Sequence, residues 1–274
     1  MKFSKSKTSL ILGAPDAITA RLAWKIGADY IWASSFILSS LLGIKDDGMI
    51  NIKFYLPLIK GLIKASPAPV ILDLDIIGRN MDECNIQLNL LKKMSLGGVC
   101  IEDDPWPKLN AMLNSSSKKL ISTKKMALKI STAKKVLSSN CLVIARTHSL
   151  LIGEPCSLLQ ERIDNYVKAG ADIICIHYTK NHWDSYQKTI SKLNMVRPLM
   201  VIFSKYNSLP ECLDYSNIKL VVFPNQIYRM MLHPIFEFCH NKQEKFQDHS
   251  INFEKRQLVD VKHLFQLSDE INKK

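Results

Sequence analysis

Between Val70 and Asn110 the chain carries more acid than a buried stretch normally tolerates. The run VILDLD sets Asp73 and Asp75 at the end of an apolar segment, and VCIEDDPWPKLN leads Val99 to Ile101 directly into Glu102, Asp103 and Asp104. Residues i and i+2 of a strand share a face, so Asp73 and Asp75 are expected to point the same way. Four or five carboxylates at the same ends of two neighbouring buried strands cannot all stay charged without a partner, because desolvating each is costly. A divalent cation is the economical partner, and hard oxygen donors with few nitrogens or thiolates point to magnesium or manganese over zinc. The plainer alternative is a structural pair bonded to backbone amides and a lysine.

Other side chains able to do chemistry also stand at the ends of apolar runs. CLVIARTH delivers Arg146 and His148, ADIICIHY delivers His177, and DYIWAS delivers Trp32 and Ser34. A buried guanidinium wants an anion or a bidentate partner. His177 reads either as a functional group or as a satisfied core histidine, and Trp32 either as a contact or as core.

These runs alternate with segments of helical periodicity. SLILGA is followed by PDAITARLAWKIG, which Gly27 stops; FYLPLIKGLIKAS, Met81 to Met94, Leu120 to Leu137, LLQERIDNYVKAG and NHWDSYQKTISKL lie between later strands. LMVIF and KLVVF bring the strand count to eight, and NQIYRMMLHPIFEFCHN closes the series with Pro234 expected to kink it. Eight βα units fit an α/β (β/α)8 TIM barrel, in which catalytic groups stand at the C-terminal ends of the strands. An open doubly wound sheet is the alternative, but no GxGxxG turn follows the first strand. We expect residues 1–274 to form one barrel domain, with 251–274 a helical extension whose Val259, Val261, Leu264, Phe265 and Leu267 need covering.

Composition narrows the function classes. At 274 residues and 47% hydrophobic, the chain can bury a large core, and it contains no run of apolar residues long enough to span a membrane. MKFSKSKTSLILGAPDA has too short an apolar segment for a signal peptide, so a soluble cytoplasmic protein is expected. Seven cysteines without CxxC pairs argue against a disulfide framework and a zinc site. The net charge of +12 invites a nucleic-acid reading, but lysine far outnumbers arginine and is not interleaved with aromatics. No nucleic-acid or membrane partner is expected.

Taken in order, LGAPDAITARLAWKIGADYIWAS, LGIKDDG, ILDLD, IEDDPWPKLN, VIARTHSLLIG, AGADIICIH and VDVKHLFQL resemble the phosphoenolpyruvate mutase branch of the isocitrate lyase superfamily. The resemblance implies a magnesium-dependent interconversion of phosphoenolpyruvate and phosphonopyruvate. It implies Asp73 as direct metal ligand, with Asp46, Asp75 and Glu102 holding the ion's waters. Trp32 and the amides around Ser34 and Ser35 would seat the pyruvyl carboxylate, and Arg146 and His177 would contact the phosphoryl group. A gate from Asp104 to Ser117 would bring in Lys108 and Asn110. A homo-oligomer, dimer or tetramer, exchanging its C-terminal helix is also implied.

Asn110 stands where the related phosphonopyruvate hydrolases carry threonine, and no KKCGH segment of the carbon–carbon lyases is present. Mutase is therefore the leading expectation, and phosphonopyruvate hydrolase or another 2-oxo acid carbon–phosphorus or carbon–carbon lyase of the superfamily the alternative. Several positions depart from the pattern: Asp104 for lysine and Ala111 for serine in the gate, Ile76 to Arg79 for TGYG, Ser35 for glycine, and His148 for an acid. They keep open a catalytically silent barrel with an assembly or regulatory role.

Overall fold

The apolar runs that end in polar residues become strands, and the amphipathic segments between them become helices. The computed structural model describes residues 8–48, 51–108, 119–178, 183–203, 217–242 and 261–273. The strands are β1 (Ser9–Gly13), β2 (Tyr30–Ala33), β3 (Val70–Asp73), β4 (Gly98–Glu102), β5 (Leu142–Thr147), β6 (Ile173–Ile176), β7 (Leu199–Ile202) and β8 (Ile218–Phe223). Each pairs parallel with the next and β8 closes on β1, so the (β/α)8 barrel is the fold and the open sheet is not.

The helices among the described residues are α1 (Ala17–Lys25), α2 (Ser35–Leu41), α3 (Leu56–Ala65), α4 (Met81–Leu91), α5 (Thr123–Val136), α6 (Cys156–Lys168), α7 (Trp183–Ile190), α8 (Gln226–Lys242) and α9 (Val261–Asn272). No helix among the described residues is long and apolar enough to cross a membrane. In α1, Asp16 accepts from the Thr19 amide at 2.8 Å while Thr19 Oγ1 accepts from the Asp16 amide at 3.2 Å, a reciprocal cap. Pro57 falls in the first turn of α3, where its missing N–H costs nothing. Helix α2 was not expected. Its seven residues are too few for a helical period to stand out after the strand ending at Ala33.

Strand parity builds the interior. The inward set includes Ile11, Tyr30, Trp32, Ile71, Cys100, Ile144, Cys175, Met200 and Val222, which fill the barrel. Two residues further along their strands the same inward positions become Asp73, Glu102, Arg146 and His177, and His148 follows Arg146 by two more. One alternation therefore packs an apolar core and sets an ionic layer above it. Trp32 is fully buried, belongs to the apolar inward set and pairs in register with Ile71.

Helix α9 docks on α1 and α3 of its own chain. Glu270 meets Arg21 at 3.4 Å and Lys25 at 3.0 Å, Lys64 Nζ donates to Asn272 Oδ1 at 2.8 Å, and Leu267 and Ile271 are buried. The i, i+4 pair Leu267 and Ile271 makes the buried stripe. Leu264 and Phe265, which were expected to be covered, remain exposed. Val259 lies outside the described residues.

Candidate active site

Strand β3 ends at Asp73, and the chain then turns sharply: φ is +50° at Asp75, +37° at Ile77 and +76° at Gly78. Asp75 therefore reaches the mouth from a turn, and the strand-alternation argument that paired it with Asp73 does not apply. Gly78 cannot carry a side chain, because a Cβ there would lie 2.7 Å from the Cys84 amide nitrogen. The buried Lys129 of α5 holds the turn by donating to the carbonyls of Ile76 and, at 3.2 Å, Gly78. Ser35, the first residue of α2, donates to Asp75 Oδ1 at 2.8 Å.

Two cations face the acids. Lys108 Nζ lies 2.6 Å from Asp75 Oδ1, 3.0 Å from both oxygens of Asp46 and 3.3 Å from Ser35 Oγ, and its amide donates to the Asp47 carbonyl at 2.9 Å. Arg146 Nη1 lies 3.4 Å from Asp73 Oδ2 and Arg146 Nη2 lies 3.3 Å from Glu102 Oε2. Strand pairing sets Glu102 beside Arg146, which fixes this second contact.

The third set of contacts surrounds His148. Its Nε2 accepts from Arg146 Nε at 3.0 Å and lies 2.9 Å from His177 Nδ1, which is itself 2.9 Å from Arg146 Nη2. Its Nδ1 lies 2.7 Å from Asp104 Oδ1. Asp103, of opposite parity to Glu102 and Asp104, turns away from this set. It accepts from Thr147 Oγ1 at 2.7 Å, the His148 amide at 3.0 Å and Tyr166 Oη at 2.8 Å, and Arg162 stands 3.6 Å off. Arg162 also donates to Glu154, which accepts from Ser149 Oγ at 2.7 Å. Sequence reading missed Lys129, Arg162, Glu154 and Tyr166. The available signal was a charged residue on the apolar face of a helix, as with Arg162 beside Leu159, Ile163 and Tyr166.

Five carboxylates, of Asp46, Asp73, Asp75, Glu102 and Asp104, thus share a buried region with Lys108 and Arg146 as the permanent cations in contact among the described residues. Burial pushes the Asp73 carboxyl up to about 8, with Asp75 and Glu102 adding to the rise and Arg146 opposing it. Burial raises Asp46 and Asp75 as well, against the pull of Lys108. Burial pulls Lys108 and Arg146 downward, but the surrounding carboxylates hold both well above their ordinary values.

The structure brings Asp46, Asp73, Asp75, Glu102, Lys108, Arg146, His177 and Ser35 together at the barrel mouth. Ser34 is the buried cap residue of α2, next to Ser35, while Asn110 and Ala111 lie outside the described residues. Asp46 and Asp75 are clasped by the Lys108 ammonium. Among the described residues, Asp73 Oδ1 and both oxygens of Glu102 are buried without a hydrogen bond, Glu102 Oε2 keeping its ion pair with Arg146 at 3.3 Å. Buried carboxylate oxygens left without a hydrogen bond, beside surplus negative charge, are what a hard divalent cation requires, so Asp73 and Glu102 fit one. A different trio, Glu102, Asp104 and His148, also brings ligand atoms within 4.8 Å of one another. Both ring nitrogens of His148 are already engaged, one of them with the guanidinium of Arg146, which disfavours a cation there. Beside Asp73 and Asp75 lies a cavity of about 40 Å³, bordered also by Ser35, Tyr55 and Ile76. That volume holds no more than a few waters at ~10–15 Å³ each.

Comparison with known proteins places the fold and the family. The chain is 22% identical to a phosphoenolpyruvate phosphomutase of Tetrahymena pyriformis over 96% of its own length and 87% of that protein's. Its fold matches the crystal structure of a phosphoenolpyruvate phosphomutase from Streptomyces platensis subsp. rosaceus with a TM-score of 0.86 at 23% identity, covering 97% of this chain and 93% of that one. It also matches a phosphonopyruvate hydrolase in complex with oxalate and magnesium with a TM-score of 0.83 at 22% identity, covering 97% and 92%. A family model described as phosphoenolpyruvate phosphomutase matches residues 2–240. That span takes in every strand of the barrel and all the acids at its mouth, and the chain belongs to the phosphoenolpyruvate phosphomutase family.

Proposed function

We propose that the chain is a magnesium-dependent enzyme that moves a phosphoryl group between the enol oxygen and C3 of a three-carbon 2-oxo acid, interconverting phosphoenolpyruvate and phosphonopyruvate. The observation that carries this reading is the buried surplus of carboxylate over cation among the described residues, in which Asp73 Oδ1 and the Glu102 oxygens lack a hydrogen bond. Asp73 and Glu102 are assigned to hold the ion, with manganese as the alternative metal. Asp46 and Asp75 are assigned to its waters once Lys108 has moved off them. The ion supplies positive charge against the enolate oxygen left when the phosphorus–oxygen bond breaks.

The chain's own residues do the rest by positioning and charge. Arg146 offers N–H donors to the phosphoryl oxygens, and His177, whose Nδ1 faces Arg146, presents Nε2 on its other side. Lys108 and Asn110 add donors from the gate and help exclude water, which would otherwise intercept a loose phosphoryl group. The amides around Ser34 and Ser35 receive the carboxylate, and Trp32 shapes the floor beneath from the apolar layer. Because the cavity is small and Lys108 clasps two acids, substrate entry requires the Lys108 side chain to leave.

The test is phosphorus NMR of the purified protein incubated with phosphonopyruvate and magnesium. Appearance of phosphoenolpyruvate is expected, and Asp73→Ala should abolish it while leaving the fold intact. Pyruvate and phosphate without phosphoenolpyruvate would instead identify a hydrolase. The Lys108 clasp favours one other reading, a catalytically silent barrel kept for assembly, which failure to bind both magnesium and oxalate would select.

The same reading makes the protein a cytoplasmic homo-oligomer. Its support is the exposed Met230, Ile235 and Phe236 of α8 beside an open apolar groove of about 1020 Å³ that includes Leu10, Ile26 and Phe223. Exchange of α9 between subunits would reuse its contacts with α1 and α3. Light scattering that returns a monomer at micromolar concentration would refute the assembly.

A further inference from the structure

Neither the phosphoryl chemistry nor the metal assignment uses Asp104 or His148, yet both are fully buried and both touch the groups that do the chemistry. A guanidinium Nε can only donate, so His148 Nε2, 3.0 Å from Arg146 Nε, must accept. The ring proton of His148 then sits on Nδ1, aimed at Asp104 Oδ1 at 2.7 Å. The neighbouring nitrogen of the same guanidinium edge, Nη2, lies 2.9 Å from His177 Nδ1 and donates to it, which puts the His177 proton on Nε2. The fork of Arg146 that commonly grips the two oxygens of one carboxylate here grips two imidazole nitrogens 2.9 Å apart. Two ring lone pairs approach that closely only when each is met by its own donor, as the adjacent Nε and Nη2 of Arg146 meet these two, so the two histidines depend on the guanidinium and it on them.

We propose that Asp104 and His148 form one positioning unit: Asp104 fixes the His148 tautomer, His148 then fixes the rotation of Arg146, and Arg146 in turn fixes the tautomer of His177. With its Nε edge held, Arg146 has its other face turned to Asp73 Oδ2 and Glu102 Oε2. The unit therefore sets the direction of the donors assigned above to the phosphoryl group, and in that respect it rests on the proposed function. Both residues sit at positions where the sequence departs from the pattern it resembles, acid for base at one and base for acid at the other. The 2.7 Å contact makes those two departures a single exchange of partners.

The exchange suggests the experiment. Asp104→Lys and His148→Glu are made singly and together in the full chain, and calorimetry measures oxalate binding in the presence of magnesium. Each single variant places like charges together or leaves a charge alone, and should weaken oxalate by at least about tenfold, the scale seen when an outer-shell partner of a site is lost. The double variant restores opposite charges and an acceptor for Arg146 Nε, and should recover most of that loss. Where phosphonopyruvate turns over, Asp104→Asn should lower kcat more than it raises KM. A double variant no better than the worse single, or single variants within twofold of wild type, would overturn the proposal.

The second readout needs neither substrate nor activity. Long-range nitrogen–proton NMR of histidine-labelled protein, assigned by the signals lost in His148→Gln and His177→Gln, should show His148 as the Nδ1–H and His177 as the Nε2–H tautomer. Asp104→Ala should change both. His148 in the Nε2–H form, or a His177 signal unmoved by Asp104→Ala, would sink the unit. A wild type that binds no oxalate but shows the expected tautomers would instead count against the proposed function and leave the unit standing.

Discussion

Replacing Lys108 by methionine separates the clasp from ordinary packing, since methionine keeps most of the apolar stem and removes only the ammonium. The ammonium is buried and contacts three oxygens of two carboxylates, Asp46 and Asp75, that are nearly as buried as it is. Taking one partner from a buried ion pair leaves its charge uncompensated and costs ~3–5 kcal/mol. For a chain of this size that corresponds to a fall in Tm of roughly 6–20 °C, at ~2–4 °C per kcal/mol. Urea unfolding at neutral pH in EDTA is the assay. Lys134→Met is the control, because the Lys134–Asp172 pair at 2.8 Å is about 30% exposed on both sides and should be worth under ~1 kcal/mol. Two further signs follow from the site. Burial raises the Asp46 and Asp75 carboxyls, so the loss in Lys108→Met should shrink as pH falls and they take up protons. Magnesium should stabilise the variant more than the wild type, because the ion no longer competes with the ammonium. A Lys108→Met loss within 1 kcal/mol of the Lys134→Met loss, or one that grows as pH falls, would refute the reasoning.

The Asp73 carboxyl, pushed up to about 8 by burial and by its acidic neighbours, gives a proton count. Its folded value lies above its unfolded one, so in metal-free protein it subtracts stability as pH rises from the ordinary carboxylate range to about 8, and subtracts nothing below that range. Binding a divalent ion needs the carboxylate, so magnesium should expel more proton at pH 7 than at pH 9. Calorimetry in buffers of different ionisation enthalpy reads this difference, and binding at pH 7 without proton release would overturn it. At Ile77, buried with φ at +37°, the usual order of small residues should invert. Ile77→Gly should be more stable than Ile77→Ala by about 1 kcal/mol, because alanine retains the left-handed strain and glycine does not. An alanine variant the more stable of the two in urea unfolding would mean that the turn is not strained.

How much of this was legible in the sequence follows from what each signal depends on. The barrel was legible because eight apolar runs and the amphipathic segments between them each carry a local period, and a count of eight fits the closed order the structure shows. Asp73, Glu102, Arg146 and His177 were legible for a related reason, since each ends an apolar run and parity turns it inward. Asp75 was reached by the wrong route: a local bend at positive φ brings it to the mouth, and no period announces a bend formed by non-glycine residues. Helix α2 was hidden by its length. The supports behind the site were invisible because they are long-range pairs: Lys129 meets carbonyls 53 and 51 positions away, and Tyr166 meets Asp103 across 63. Trp32 lies one residue before the end of β2, as its sequence position suggested, and is fully buried there.

The departures from the family pattern fall into two physical kinds, and the barrel treats them differently. Asp104 and His148 face each other inside an ionic layer where an isolated change of charge would be severe, since each buried charge there is matched against particular partners. A change at either position alone strands its partner, so the two changes are stable only together, and the 2.7 Å contact is where they meet. Ile77 has no such partner for its strain. Its backbone stays left-handed because the turn is held from outside, by Lys129 on the Ile76 and Gly78 carbonyls and by the close packing of Gly78 on Cys84. The turn therefore keeps its shape whichever residue stands at position 77, and the cost is local. Electrostatic departures at this mouth must come in pairs, whereas backbone departures can come singly, provided the turn has a clamp such as Lys129.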